Sequence, residues 1–100
     1  MAFDGANIWV SNLNSHTVTK LRASDGTNLG NFSVHSPHGI AFDGTNIWVV
    51  SEFAQKVTKL RTSDGVVLAT STVGNIPWGV AFDGINIWVS NNSSNTVSKR

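Results

Sequence analysis

An all-β chain of tandem four-stranded antiparallel sheets is what these 100 residues predict. Three observations carry that reading. The tetrad Ala-Phe-Asp-Gly occurs at Ala2–Gly5, Ala41–Gly44 and Ala81–Gly84, and one residue later each copy runs into Asn-Ile-Trp-Val. Short β-branched and aromatic runs are separated throughout by Gly, Asn and Asp. No segment keeps a helical apolar period over the length of a helix.

Each element follows from its own residues. Ile8–Val10, Ile47–Val50 and Ile87–Val89 are apolar strands that do not alternate, as expected of a strand covered on both faces. Val57–Arg61 reads as the next strand and stops at the turn Ser63-Asp64-Gly65. Val66–Val73 follows, mixing Val, Leu and Thr. Asn75-Ile76-Pro77 then interrupts the chain before Trp78–Phe82, a strand that leads into Asp83-Gly84. The Asp-Gly pairs at Asp4, Asp43, Asp83, Asp25 and Asp64 are turn residues: Gly supplies the positive φ and Asp caps its own turn.

Aligning Ala2–Leu29 with Ala41–Leu68 gives 17 identities in 28 positions, so the copies point to recent amplification or to deliberate construction from one template. Four-stranded sheets repeating at a period near 40 predict a β-propeller, in which blades pack face to face around a channel. The chain then reads as a single repeat domain over 1–100, with blade 1 at about 2–37, blade 2 at about 38–76 and an incomplete blade 3 at about 77–100. Phe3, Trp9, Phe42, Trp48, Phe82 and Trp88 recur in every module and are expected to fill the space between blades and any interface between chains.

Composition narrows the partners. Apolar residues make up 40% and charged residues 13%, a low charge content that leaves some surface meant for burial. The net charge is +1 and no basic cluster exceeds Lys99-Arg100, which argues against a nucleic-acid footprint. There is no cysteine, hence no disulfide and no thiolate metal site. No apolar run suits a membrane span and the N-terminus lacks a signal-peptide pattern, so the expected setting is cytoplasmic and away from membranes.

The stretch Gly-Ile-Ala-Phe-Asp-Gly-Thr-Asn-Ile-Trp-Val at 39–49, with Val-Thr-Lys-Leu-Arg-Thr-Ser-Asp-Gly at 57–65, resembles the bacterial propeller repeats grouped as NHL-like or YncE-like. It is similar as well to repeats of the streptogramin (virginiamycin B) lyase type. The resemblance spans the whole chain but only about a third of a seven-bladed protein. It implies the propeller fold. The lyases it points to use a histidine, a carboxylate and magnesium, and no motif here receives those residues, so no catalytic residue and no cofactor is assigned.

The copies differ in two stretches: the loop after the Trp strand (12–17, 51–56, 91–96) and the link between modules (35–38, 74–78). In an up-and-down blade both lie at the end opposite the Asp-Gly turns. Any ligand face belongs there, with His16, His35, His38, Glu52, Phe53 and Trp78 as its candidates. The three histidines align with Gln55 and Asn95, with Gly74, and with Trp78. None recurs, and no metal site is predicted. Lys20, Arg22, Lys59, Arg61 and Lys99 recur on the third strand of each module and read as a solvated outer edge.

Two modules and part of a third cannot close a ring of four to eight blades. The expected outcome is head-to-tail association of copies. A six-bladed dimer is favoured over a nine-bladed trimer or a five-bladed dimer, unless the chain belongs to a longer propeller. The functional expectation is a self-assembling scaffold, its partner a copy of itself, with an unknown small molecule or protein held at the variable face. The alternative is a lyase-like enzyme whose site forms between chains.

Overall fold

A computed structural model describes residues 1–100 as eleven strands without a helix. The first sheet is β1 (Ala2–Phe3), β2 (Asn7–Asn12), β3 (Thr17–Arg22) and β4 (Asn28–Ser33). The second is β5 (Pro37–Phe42), β6 (Asn46–Ser51), β7 (Lys56–Arg61) and β8 (Val67–Thr72). The third holds β9 (Pro77–Phe82), β10 (Ile87–Asn91) and β11 (Thr96–Lys99). Every pairing is antiparallel between neighbours in sequence, so each sheet is a meander.

The chain is all-β with propeller-type sheets, and its core lies between sheets rather than inside any one. Successive residues on a strand point to opposite faces. Trp9 and Val18 of the first sheet therefore meet Ile40, Ile47, Val49 and Leu60 of the second. The opposite face of the second sheet offers Val50 and Val57, with Trp48 beside them, to Ile87, Val89 and Val80 of the third. Each interface thus sets a Trp face against an Ile-Val face. Two faces stay uncovered: Trp88 and Val97 on the third sheet, and Phe3, Ile8, Val10 and Leu21 on the first.

One expectation is corrected. In the first two sheets the third strands are not the outer edge, because β4 and β8 lie outside β3 and β7, whereas Lys99 lies exposed on the edge strand β11. Lys20 is only 9% exposed; its ammonium lies 5.4 Å from the Trp9 ring centre and donates to the Thr62 carbonyl at 2.7 Å. Lys59 and Lys99 sit over Trp48 and Trp88 at 5.5 and 5.8 Å. Register explains this: Trp9, Trp48 and Trp88 pair directly with Lys20, Lys59 and Lys99, so each ammonium meets the ring of its cross-strand neighbour. Arg22 and Arg61 remain exposed and pair with Asp25 and Asp64 at the turns.

Candidate functional site at the variable-loop end

The two ends of the strands differ in kind. At the turn end one unit is built three times. Asp4 accepts from the backbone amides of Ala6 and Asn7 at 2.9 and 2.7 Å, and its second oxygen accepts from Trp9 Nε1 at 2.8 Å. Asp43 does the same with Thr45, Asn46 and Trp48, and Asp83 with Ile85, Asn86 and Trp88. The turn glycines Gly5, Gly44 and Gly84 have φ of 97°, 94° and 102°, a region an L side chain strains to enter. The carboxylate thus ties the turn to the ring that fills the next interface. Sequence reading found the cap and missed the bond to tryptophan, although the constant Asp-to-Trp spacing was its signal.

These bonds favour the ionised carboxylate. Partial burial raises Asp4 and Asp43, but the hydrogen bonds and the nearby lysines outweigh it and hold both below the usual range. Asp83 is brought furthest, to about 2, by the Asn86 amide, the Trp88 indole and the Ile85 amide.

At the other end the structure brings four of the six candidates into two pairs. His16 and His35 stack, with ring centres 4.8 Å apart and planes 3° from parallel. His16 Nδ1 accepts from the buried Ser36 amide at 2.9 Å, which puts the ring proton on Nε2. His38 and Trp78 occupy matching positions on β5 and β9 and meet edge to face at 5.1 Å. Trp78 Nε1 donates to His38 Nε2, and His38 Nδ1 lies 3.3 Å from the Trp78 carbonyl. Both nitrogens of His38 are thereby committed to a contact between sheets. Glu52 and Phe53 stand apart from these pairs, in a groove of about 280 Å³ completed by Gln55, Asn75, Ile76 and Ser93.

Backbone strain concentrates here. The non-glycine residues with positive φ are His16, Gln55 and Asn95 in the loops and Ser36 and Ile76 in the links. The carbonyls of the two positive-φ link residues are used: Glu52 N donates to Ser36 O at 3.0 Å, and Asn92 N to Ile76 O at 2.9 Å. Tightly tied loops hold these conformations in place. No three His, Asp or Glu side chains converge on one point. The packing aromatics divide: Trp9 is buried, Phe42 and Trp48 border the two cores, and Phe3, Phe82 and Trp88 are exposed.

No protein-family model matches this sequence, and no curated protein matches it. Solved structures do. Hydrazine synthase of Kuenenia stuttgartiensis superposes with a TM-score of 0.82 at 25% identity, over 91% of this chain and 27% of that one. BamB of Moraxella catarrhalis gives 0.84 at 13% identity, over 98% of this chain and 29% of that one. A virginiamycin B lyase from Staphylococcus aureus, solved with quinupristin, gives 0.73 at 17% identity, over 93% and 36%. The chain therefore spans about a third or less of the structures it resembles. What it shares with them is the β-propeller fold, of which it is a run of successive blades.

Proposed function

We propose that the chain is a self-associating propeller scaffold, in which the uncovered Trp face of one copy's third sheet is closed by the uncovered face of another copy's first sheet. One observation carries the reading. The two uncovered faces match, position for position in the register, the faces that meet at the interface of the first and second sheets, and they keep its Trp, Ile, Val and Leu residues; relative to the second sheet, Ser90 stands in place of Val50. Trp88, Ser90 and Val97 stand where Trp48, Val50 and Val57 do, while Ile8, Val10 and Leu21 stand where Ile47, Val49 and Leu60 do. A second copy extends an interface the chain already makes, and no new chemistry is required. Such contacts are heterologous and close if the rotation permits. Two chains of three sheets give a six-bladed ring, within the usual range of about four to eight. The open apolar groove along Val80, Ala81, Trp88, Val89 and Val97, about 380 Å³, is the surface that closure would fill.

Native mass measurement tests this directly. Two chains per particle are expected, and Val97→Glu should convert the dimer to a folded monomer by placing a charge in the joint. A wild-type chain that stays monomeric at high concentration would overturn the reading, and a trimer would overturn the six-bladed form of it.

A further inference from the structure

The geometry points to a binding groove for a small guanidinium-bearing cation between the loops of the second and third sheets, built from Glu52, Phe53, Gln55, Asn75, Ile76 and Ser93. All six residues lie in one chain, so the inference stands independently of self-association.

The same junction occurs twice in the molecule, once filled and once open. Between the first and second sheets, the link His35-Ser36 lays an imidazole flat on His16. Between the second and third, the link is one residue longer, Gly74-Asn75-Ile76, with glycine in the place of His35. No ring covers Gln55 there. The glycine is also required, because a Cβ at Gly74 would come within 2.7 Å of the Asn91 side chain, whose Oδ1 accepts from the Gly74 amide at 3.0 Å. The groove is thus held open by the backbone. Ile76, a β-branched residue at φ 49°, forms part of its wall in a conformation such residues rarely adopt.

Charge selects the ligand. Of the six acidic residues, five are aspartates in the Asp-Gly turns at the far end, and Glu52 alone lies at this end. Its carboxylate makes no ion pair, not even with Lys56 four positions on, and takes part in no side-chain hydrogen bond. Beside it Phe53 is 67% exposed, which leaves an aromatic face open to the groove. A carboxylate next to an open aromatic face suits a cation. The oxygens of Gln55, Asn75 and Ser93 add acceptors for N–H groups. A planar guanidinium uses all three features, since it can pair with a carboxylate and stack on a ring together. At about 280 Å³ the groove admits a small molecule rather than a folded partner.

Amide-resolved NMR with butylguanidinium as the probe, and neutral butylurea as its isostere, tests the assignment on the wild-type chain. Saturable shifts are expected at residues 52–55, 74–76 and 93, with millimolar affinity from one solvent-exposed ion pair and one stack. Glu52→Gln should weaken binding about tenfold and Phe53→Ala about threefold or more, with the remaining spectrum unchanged because both side chains are surface groups. Butylurea should bind at least about tenfold more weakly. Equal affinity for butylurea, unchanged binding by Glu52→Gln, or shifts confined to the Asp-Gly turns would each overturn the proposal.

Discussion

The Trp face of the first sheet and the Trp face of the third carry equivalent residues in equivalent register, yet their surroundings are opposite. Trp9 and Val18 are 0% exposed, whereas Trp88 is 40% and Val97 64% exposed. The local bonds do not differ: Asp4 holds Trp9 at 2.8 Å and Asp83 holds Trp88 at 2.6 Å, with a lysine over each ring. A module therefore writes its own turn, strand and ring orientation, and only the neighbouring sheet determines whether that ring is core or surface. The Trp face of the third sheet has the make-up of a core face and lies exposed.

The largest effect should come from cutting the ring on the covered face. Trp9→Ala removes a fully buried indole that stacks on Phe32 at 5.7 Å, and is expected to cost about 3–5 kcal/mol. Trp88→Ala should cost about 1 kcal/mol in the isolated chain. Denaturant titrations at low protein concentration measure both. Equal losses would mean that the two faces are equally covered in solution.

Glycines sharpen the same contrast. A Cβ at Gly39 would run into the Trp78 carbonyl oxygen, with Gly79 Cα at 3.1 Å and Val80 N at 3.2 Å. Those are backbone atoms of the next sheet and cannot step aside. Gly39→Ala should cost about 2–3 kcal/mol. At the matching position on the open sheet, a Cβ at Gly79 meets only the Ser90 hydroxyl at 3.0 Å. Gly79→Ala should therefore cost less than about 1 kcal/mol in the monomer. If closure brings another sheet against β9, Gly79→Ala would instead weaken assembly, which sedimentation would detect.

Much of this contrast was legible in the sequence, and the limits are instructive. Ile-Trp-Val between Gly and Asn marks a strand whatever surrounds it, and equal spacing of three Asp-Gly turns marks equal modules. Placement of variable residues at one end followed from counting strand reversals. What sequence could not supply was contact across the module boundary. Lys20 and Lys59 look like edge charges until register sets each opposite a tryptophan. His16 and His35 lie 19 positions apart and stack where the Val34 amide donates to the His16 carbonyl at 3.2 Å and the Ser36 amide to His16 Nδ1 at 2.9 Å, drawing link onto loop. The one-residue difference between the two links is visible in the alignment, but its consequence, a groove in place of a stacked pair, depends on three loops meeting.

The lysines over these rings give a smaller, graded test. Lys20→Ala loses a buried bond to the Thr62 carbonyl and the ring contact together, and should cost about 1–2 kcal/mol. Lys99→Ala removes only an exposed cation from an exposed ring, for less than about 0.5 kcal/mol. A thermal melt series on both variants would separate them, and a reversed order would contradict the burial of the first interface.

The smallest effect expected is on acid sensitivity, and it distinguishes the faces most finely. All three turn carboxyls that hold a tryptophan sit below the ordinary value, near 3.9 for an unfolded aspartate. A lowered folded-state pKa means that the unfolded chain takes up the proton first. The stability these groups contribute is complete above about pH 4 and drains as pH falls toward the value of about 2 at Asp83. Melting temperature should therefore decline across that window, and Asp43→Asn should flatten part of the decline while lowering stability at neutral pH. The covered and open faces then part company. Burial pushes Asp4 and Asp43 back upward, whereas at Asp83 the amide and indole bonds outrank it. Covering the Trp88 face with another sheet would desolvate Asp83 as its counterparts are desolvated. Its carboxyl, followed by carbon NMR, should titrate near 2 in dilute monomer and move up toward Asp4 and Asp43 as chains associate. An Asp83 that titrates identically in both states would mean that the joint between chains forms elsewhere.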